Sequence, residues 1–240
     1  MGDLAVDRTG FESAWRVAEE IPGWLTRAQA QALWRAARRL PPGGRVVEIG
    51  SHQGRSTVVL GHAARLAGAR VTAIDVFRDG RMFGGAPTRQ LFEANIGRAG
   101  LTGTVDLLVE YSTRARPQWT DPVDLIYIDG KHDYWTFTDD LRWSACLPAG
   151  GEIFVHDCFS SIGVTSGVLA KVLPSRRYTF GDRVGSLARF TLRRPGAADR
   201  WRLLRQLPWF ARNVVIKVLL RLRLRPVARA LGHTGPYDPY

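Results

Sequence analysis

The spacing of apolar residues between positions 26 and 192 changes repeatedly along the chain. Apolar residues three and four positions apart predict helices over residues 26–39, 54–66, 88–99 and 135–146. Short apolar runs rich in β-branched residues predict strands over residues 45–49, 70–75, 105–109, 123–129 and 152–156. Because helices and strands alternate, the pattern is typical of a doubly wound α/β sheet.

Two later apolar runs extend this sheet. Residues 177–180 and 186–192 predict a closing antiparallel hairpin with its turn at 181–185, which brings the number of expected strands to seven. The sequence Arg193-Arg194-Pro195-Gly196 marks the clearest domain boundary. We therefore expect three parts, which are an N-terminal helix and connector (1–25), the main α/β domain (26–195) and a helical C-terminal extension (196–240).

Composition narrows the class of protein. Of 240 residues, 45% are hydrophobic and 10% aromatic, so the chain can close a core and is neither disordered nor fibrous. Its uncharged apolar stretches fall short of the roughly 18–20 residues that a membrane-spanning helix needs, and its first residues lack a secretory pattern. Cys146 and Cys158 lack the CxxC spacing of structural zinc sites and cannot form a disulfide framework. We expect a cytoplasmic protein.

Much of the net charge of +12 lies in the C-terminal extension, where nine Lys and Arg stand against two Asp. The stretch between Pro208 and Pro226 predicts a basic amphipathic helix. Its polar stripe is Asn213, Lys217, Arg221 and Arg225, and its apolar side is Val214, Val218 and Leu222, with Val215 and Leu219 beside them. Through residues 200–231, such a helix can contact the inner face of an anionic membrane. Alternatively, it can pack on the main domain or on a second copy of the chain in a homo-oligomer. Nucleic acid is the weakest candidate partner, because no aromatic stacking platform accompanies the charge.

The first predicted strand leads into an acidic-x-Gly-x-x-x-Gly turn, Glu48-Ile49-Gly50-Ser51-His52-Gln53-Gly54, which opens a helix. Glycines let the backbone approach a ligand, and a helix N-terminus offers free N–H groups. The dinucleotide fingerprint is absent, because Glu48 stands in place of its first glycine. Its carboxylate would repel a pyrophosphate and attract a cationic ligand.

This turn resembles motif I of class I S-adenosylmethionine-dependent methyltransferases. Asp75 closes the second strand, where the family's matching acidic residue binds the ribose hydroxyls of the cofactor. The resemblance implies a Rossmann-like fold and the cofactor S-adenosyl-L-methionine. The implied cofactor-binding residues are Glu48, Gly50, Ser51, Gly54, Ser56, Asp75, Val76, Ser112 and Asp129. Two alternatives stay open, which are a buried or capping role for Glu48 and a helix-capping role for Ser112.

Two further motifs narrow the family. Residues 124–134, which contain the sequence IDGKH, and residues 150–157, which read GGEIFVHD, resemble the branch that contains natural-product and sugar O-methyltransferases. This resemblance covers about residues 30–170. It implies transfer of a methyl group to a hydroxyl of a small-molecule acceptor, such as a sugar or a glycolipid-like secondary metabolite.

The same motifs carry the candidate chemistry. The strands before Asp129 and before the pair His156-Asp157 should end at one edge of a parallel sheet. Oxygen and nitrogen donors without a thiolate suit Mg²⁺ or another divalent metal, and some members of the branch hold such an ion here, with an acidic pair where this chain has His156-Asp157. His132 is the candidate catalytic base and Asp129 a second catalytic residue, while a hydrogen bond at a helix N-terminus is the alternative for His132.

Two expectations remain open at this stage. The glycine-punctuated loop 78–87 can form a lid over the site with Met82 and Phe83, or be an ordinary surface loop. The alternative to an enzyme is a membrane-associated binding or scaffold protein that keeps the fold without catalysis. The complete set of motif residues favours the enzyme.

Overall fold

A seven-stranded mixed sheet in the order β3-β2-β1-β4-β5-β7-β6 forms the centre of the computed structural model, which describes residues 2–78 and 85–233. Its strands are β1 Arg45–Ile49, β2 Arg70–Ile74, β3 Val105–Leu108, β4 Leu125–Ile128, β5 Glu152–Val155, β6 Tyr178–Val184 and β7 Leu187–Leu192. Strands β1 to β5 are parallel, and β7 runs antiparallel to both β5 and β6. The predicted α/β fold with a terminal antiparallel hairpin is confirmed.

Ten α-helices are present among the described residues. They are α1 Gly2–Glu19, α2 Arg27–Arg38, α3 Arg55–Ala67, α4 Ala86–Arg98, α5 Ser112–Ala115, α6 Tyr134–Asp140, α7 Ile162–Gly167, α8 Ala197–Leu204, α9 Leu207–Arg221 and α10 Arg225–Ala230. The sheet has two hydrophobic cores, and each core packs against a different set of helices. One joins the sheet to α1, α2 and α3, and the other joins it to α6, α7 and the C-terminal helices.

The register of the parallel strands sets the position of the site. Ile49 of β1 pairs with Ile74 of β2 and with Ile128 of β4, and Ile128 pairs with Val155 of β5. The residues that follow these four, which are Gly50, Asp75, Asp129 and His156, therefore leave the sheet side by side. The expected convergence at the carboxyl edge is present.

Two predicted elements differ in detail. The helix expected over 135–146 ends at Asp140, and a 3₁₀ segment, Leu141–Cys146, continues it. The hairpin turn expected at 181–185 is shorter, because β6 extends to Val184 and its register with β7 shifts between Phe180 and Arg183. Such a bulge places an extra length of chain in one strand while the pairing continues, so the turn moves beyond Val184.

The C-terminal helices pack on the main domain. Leu203 of α8 belongs to the same core as the sheet, and α9 buries Asn213 and Ile216. The Asn213 side-chain amide donates a hydrogen bond of 3.1 Å to the carbonyl of Phe159. The expectation that Asn213 lies on the polar stripe is therefore wrong, since this residue faces the protein. Among the described residues, no helix combines the length and the apolar character needed to cross a membrane.

Candidate active site

The turn after β1 is shaped by close contact with the end of β4. Gly50 has φ +86°, and a Cβ placed on it would lie 2.4 Å from the carbonyl oxygen of Asp129. Gly54, with φ +91°, is the N-cap of α3 and lies against the ring of Phe92. Both glycines are thus required by backbone conformation, and Gly50 also by the lack of space.

Glu48 lies under this turn with no exposed surface. Its two carboxyl oxygens accept hydrogen bonds of 2.5 Å from the hydroxyls of Ser56 and Thr57, in the first turn of α3. Burial raises the pKa of Glu48 to about 8, although the two hydroxyls act in the opposite direction. Glu48 and Ser56, both expected at the cofactor, are therefore bonded to each other, and they fix α3 against the end of β1.

Asp75 joins the first two strands at the carboxyl edge. One of its carboxylate oxygens accepts the N–H groups of Ser51 and His52, at 2.9 and 3.0 Å, and the other accepts the N–H of Phe77 at 2.9 Å. Val76 follows it, half-buried. The Ser51 hydroxyl is buried and has no hydrogen-bond partner among the described residues. It is a polar group that a ligand in the turn can satisfy.

Ser112 begins α5 and does not act as its cap. Its hydroxyl donates to the carboxyl of Asp140, and its carbonyl accepts the indole N–H of Trp143 at 3.2 Å. Burial raises the pKa of Asp140 to about 7. Sequence reasoning missed Asp140, since an acidic residue near the end of a predicted helix is usually solvated.

Four side chains meet where β4 and β5 end. Nδ1 of His132 lies 2.9 Å from a carboxylate oxygen of Asp157, and Nε2 of His132 lies 3.5 Å from Asp129 Oδ1. Nδ1 of His156 lies 3.3 Å from the same Asp129 oxygen and 3.4 Å from the other oxygen of Asp157. The structure thus brings together every predicted catalytic and metal-binding residue.

The charges in this cluster support one another. Burial alone would raise the pKa values of Asp129 and Asp157, but the two imidazoles outweigh it and lower both. Burial disfavours a charged His156, but the carboxylates of Asp129 and Asp157 raise its pKa to about 10. The same carboxylates outweigh burial and raise the pKa of His132. In the isolated chain the carboxylates therefore favour the charged form of both imidazoles, and the imidazoles favour the charged form of both carboxylates.

Two residues that the motifs did not indicate hold the cluster in place. The Tyr127 hydroxyl donates to Asp129 Oδ2 at 2.8 Å. The side-chain oxygen of Gln29 lies 3.4 Å from Nε2 of His156, and its amide donates to Ser186 at 3.1 Å. Tyr127 could have been found, because residues two apart on a strand share a face. Gln29, in α2, gave no such signal.

The chain after β5 has an unusual conformation. Asp157 and Phe159 both have positive φ values, 54° and 60°, in a backbone region that residues other than glycine rarely occupy. Such conformations cost free energy and collect at functional sites. Here the turn directs Asp157 inward, where its side chain is 1% exposed and reaches both histidines.

The residues present fit a divalent metal ion. Single ligand atoms of Asp129, His156 and Asp157 lie within 4.8 Å of one another. Nδ1 of His156 is buried without an aligned hydrogen bond, although it faces both carboxylates. One nitrogen and two carboxylate oxygens suit Mn²⁺ or Mg²⁺, and the contact from Nε2 to Gln29 would keep Nδ1 free for the ion.

A cavity of about 530 Å³ opens along α6, beginning at Tyr134, two residues after His132. The rings of Tyr134 and Trp135 meet edge to face, with centroids 5.0 Å apart, and Trp135 is 78% exposed. Lys171 adds positive charge to the lining, while Arg142 is paired with Asp139, also in the lining, at 3.0 Å. Met82 and Phe83, the predicted lid residues, lie outside the described residues.

Comparison with known proteins identifies the domain. Residues 47–158 match the family model described as a methyltransferase domain. This segment contains the turn at 48–54, Asp75 and the whole cluster around Asp129. The match and the order of the strands confirm the resemblance to class I methyltransferases that the sequence motifs indicated.

Solved structures with similar folds include several methyltransferases. An O-methyltransferase from Bacillus cereus, in complex with SAH, has a TM-score of 0.58 and 18% identity, covering 77% of this chain and 91% of that one. The O-methyltransferase TomG from Streptomyces achromogenes, involved in tomaymycin synthesis and in complex with SAM, has a TM-score of 0.56 and 19% identity, covering 78% and 90%. A SAH-bound methyltransferase from Podospora anserina has a TM-score of 0.60 and 15% identity, covering 78% and 88%. At these identities the likeness shows a shared fold.

Proposed function

We propose that the chain is a class I S-adenosylmethionine-dependent methyltransferase that methylates a hydroxyl of a small molecule, such as a sugar or a glycolipid-like secondary metabolite. The carrying observation is the cluster of His132, Asp129, His156 and Asp157 beside the turn at 48–54. An alcohol is a poor nucleophile, so its methylation needs a group that removes its proton. Two neighbours of the same fold are named O-methyltransferases, which supports a hydroxyl acceptor.

The methyl donor would bind across the turn at 48–54. Gly50 and Gly54 keep its backbone accessible, the Ser51 hydroxyl is free to bond, and Asp75 stands at the end of β2 to accept ribose hydroxyls. When bound there, S-adenosylmethionine would supply an electrophilic methyl group, with S-adenosylhomocysteine as the leaving group once the acceptor oxygen bonds to the methyl carbon.

His132 is the proposed base. Its side chain remains 42% exposed, so an acceptor can reach it, while Asp157 fixes the ring through Nδ1. The proton of the acceptor hydroxyl would then pass to Nε2. His132 has to be neutral for this step, and in the isolated chain Asp129 and Asp157 raise its pKa and so favour its charged form. A positive charge bound at these carboxylates must therefore replace the imidazolium charge.

Asp129, His156 and Asp157 would hold a divalent metal ion. Its chemistry would be to lower the pKa of a bound hydroxyl. The chain contributes the geometry, because Tyr127 orients Asp129 and Gln29 orients His156. The cavity along α6 is a suitable place for the rest of the acceptor, since exposed aromatic rings stack on sugar faces and Lys171 can bind an anionic substituent.

The test is transfer of a labelled methyl group from S-adenosylmethionine to a panel of sugars, glycolipids, amines and carbon acids, followed by mass spectrometry. We expect hydroxyl products only, loss of turnover in EDTA and its recovery with Mn²⁺. His132→Asn should lower turnover by roughly 10²- to 10⁴-fold with unchanged donor affinity. Lys131→Gln, which changes the neighbouring residue outside the cluster, should retain it.

Each part of the proposal has its own contradicting result. Labelled products confined to amines or carbon acids would exclude a hydroxyl acceptor. Full turnover in chelator would exclude the metal, and normal turnover of His132→Asn would exclude the base.

A further inference from the structure

The C-terminal helices have two different faces. Helix α9 buries Asn213 and Ile216 against the domain, while Val215, Val218 and Leu222 are exposed on another side. The spacing of these three residues, at i, i+3 and i+7, places them in one stripe along the helix. Docking on the domain therefore leaves an apolar stripe of α9 uncovered in the described structure.

Three more exposed apolar residues follow α9 in the chain. They are Leu224, Val227 and Leu231, which lie in or next to α10 and are 44%, 48% and 42% exposed. Helix α10 is fixed to α9, because Ala228 is buried and the Arg212 guanidinium donates a 2.8 Å hydrogen bond to the carbonyl of Leu231. We call the six exposed apolar residues the tail surface; they are Val215, Val218, Leu222, Leu224, Val227 and Leu231.

Positive charge surrounds the tail surface. Residues 200–233 contain nine Lys and Arg and not a single Asp or Glu. Four of the arginines, Arg221, Arg223, Arg225 and Arg229, are exposed and alternate with the apolar residues. An apolar stripe inside a basic field has the two properties that peripheral membrane helices combine.

We infer that the tail surface binds the surface of an anionic lipid bilayer. Burial of its apolar residues among the acyl chains and attraction of the arginines to anionic headgroups would act together. A second copy of this chain fits less well, because two such surfaces would bring eight arginines together on contact, four from each chain. Nucleic acid would use the charge but leave the apolar stripe unexplained.

The docking contacts place helix α9 close to the candidate site. Asn213 bonds to the carbonyl of Phe159, two residues after Asp157. Helix α9 therefore lies beside the turn that carries Asp157 into the cluster. A lipid-linked acceptor would be presented near that turn, a consequence that rests on the proposed function, whereas the membrane contact itself does not.

The experiment is cosedimentation of the full chain with vesicles of phosphatidylcholine containing about a third phosphatidylglycerol, compared with pure phosphatidylcholine. We expect binding to the anionic vesicles only, weakened by salt because a Debye length is about 8 Å at physiological ionic strength. Val218→Asp and, separately, the double variant Arg223→Gln/Arg225→Gln should each weaken binding at least about tenfold.

Matched controls separate this surface from general effects. Leu66→Asp places the same charge on an exposed leucine of α3, and Arg16→Gln/Arg35→Gln removes two exposed arginines from α1 and α2. Both controls should bind vesicles like the unchanged protein, and thermal melting should show all variants folded. Truncation is unsuitable, since it would remove the buried Leu203, Asn213 and Ile216.

Three results would overturn the inference. They are equal binding to neutral vesicles, equal loss in the controls, and a dimer that Val218→Asp dissociates while anionic vesicles leave the protein in the supernatant. The last result would assign the tail surface to a second copy. Loss of methyl transfer with intact vesicle binding would bear on the proposed function alone.

Discussion

Asp75 has two tasks at the candidate site. It holds the turn at 48–54 through the N–H groups of Ser51 and His52, and it stands where a nucleoside's ribose would bind. Asp75→Ala should weaken binding of S-adenosylmethionine by about 1.5–3 kcal/mol, because a charged hydrogen-bond acceptor is lost. Calorimetric titration measures the change. Asp106→Ala, an exposed carboxylate on β3, is the control, and unchanged affinity in a folded Asp75→Ala protein would show that the cofactor binds elsewhere.

Glu48 gives a prediction about pH. Its pKa is raised from 4.5 to about 8, so between these values the unfolded chain has lost a proton that the folded protein keeps. Stability should therefore fall as the pH rises from about 4.5 to about 8 and level off above that range. Glu48→Gln retains hydrogen-bonding capacity toward Ser56 and Thr57 and removes the titration.

Urea unfolding at pH 5 and pH 8 tests this expectation. Glu48→Gln should lose less stability over the interval than the unchanged protein, by at least about 1 kcal/mol, given that one unit of pKa corresponds to about 1.4 kcal/mol. Glu93→Gln, an exposed glutamate of α4, should leave the dependence unchanged. A Glu48→Gln protein with the same or a steeper decline would mean that Glu48 is ionised in the fold.

At the scale of elements, the contact between the turn at 48–54 and the end of β4 is the tightest constraint. Gly50→Ala introduces a Cβ 2.4 Å from the Asp129 carbonyl at a positive φ, so the turn or β4 must move. We expect a loss of more than about 1 kcal/mol in stability and weaker donor binding. Gly97→Ala, in α4 with no neighbour within 4 Å of the added atom, should instead stabilise by roughly 0.5–1 kcal/mol. Equal stability and equal donor affinity of the two variants, measured by urea unfolding and donor titration, would show that the contact between Gly50 and Asp129 does not constrain the turn.

The sequence predicted the elements whose cause is local. The parallel strands are buried on both faces and are therefore continuous apolar runs, so β1, β2, β4 and β5 were expected near their observed bounds. The predicted position of the turn between β6 and β7 was wrong, because a register shift depends on the pairing of two strands and leaves no local signal. Asn213 was misplaced for a similar reason, since a polar residue is assigned to solvent unless its distant partner, here Phe159, is known.

The same distinction holds for the candidate site. Convergence of Asp129 with His156 and Asp157 follows from strand order and could be predicted. The contact between Gln29 and His156 spans 127 residues and could not be. Gln29 also belongs to the capping box of α2, so one side chain both begins a helix and orients the histidine.

On the scale of the whole molecule, one edge of the sheet collects three features. The turn at 48–54, the cluster around Asp129 and the docking point of α9 all lie where the parallel strands end. The excess positive charge is concentrated in the C-terminal extension, while Asp75, Asp129 and Asp157 stand at the edge itself. By our proposals, the edge binds the methyl donor and the extension binds an anionic surface.

The most direct measurement is calorimetric titration of the full chain with S-adenosylmethionine and S-adenosylhomocysteine, without an acceptor. We expect one site per chain with a dissociation constant in roughly the micromolar range, weakened in Asp75→Ala and retained in Asp106→Ala. No heat of binding from a folded protein at millimolar ligand, or binding that Asp75→Ala leaves unchanged, would contradict the assignment of the turn at 48–54 as the donor site.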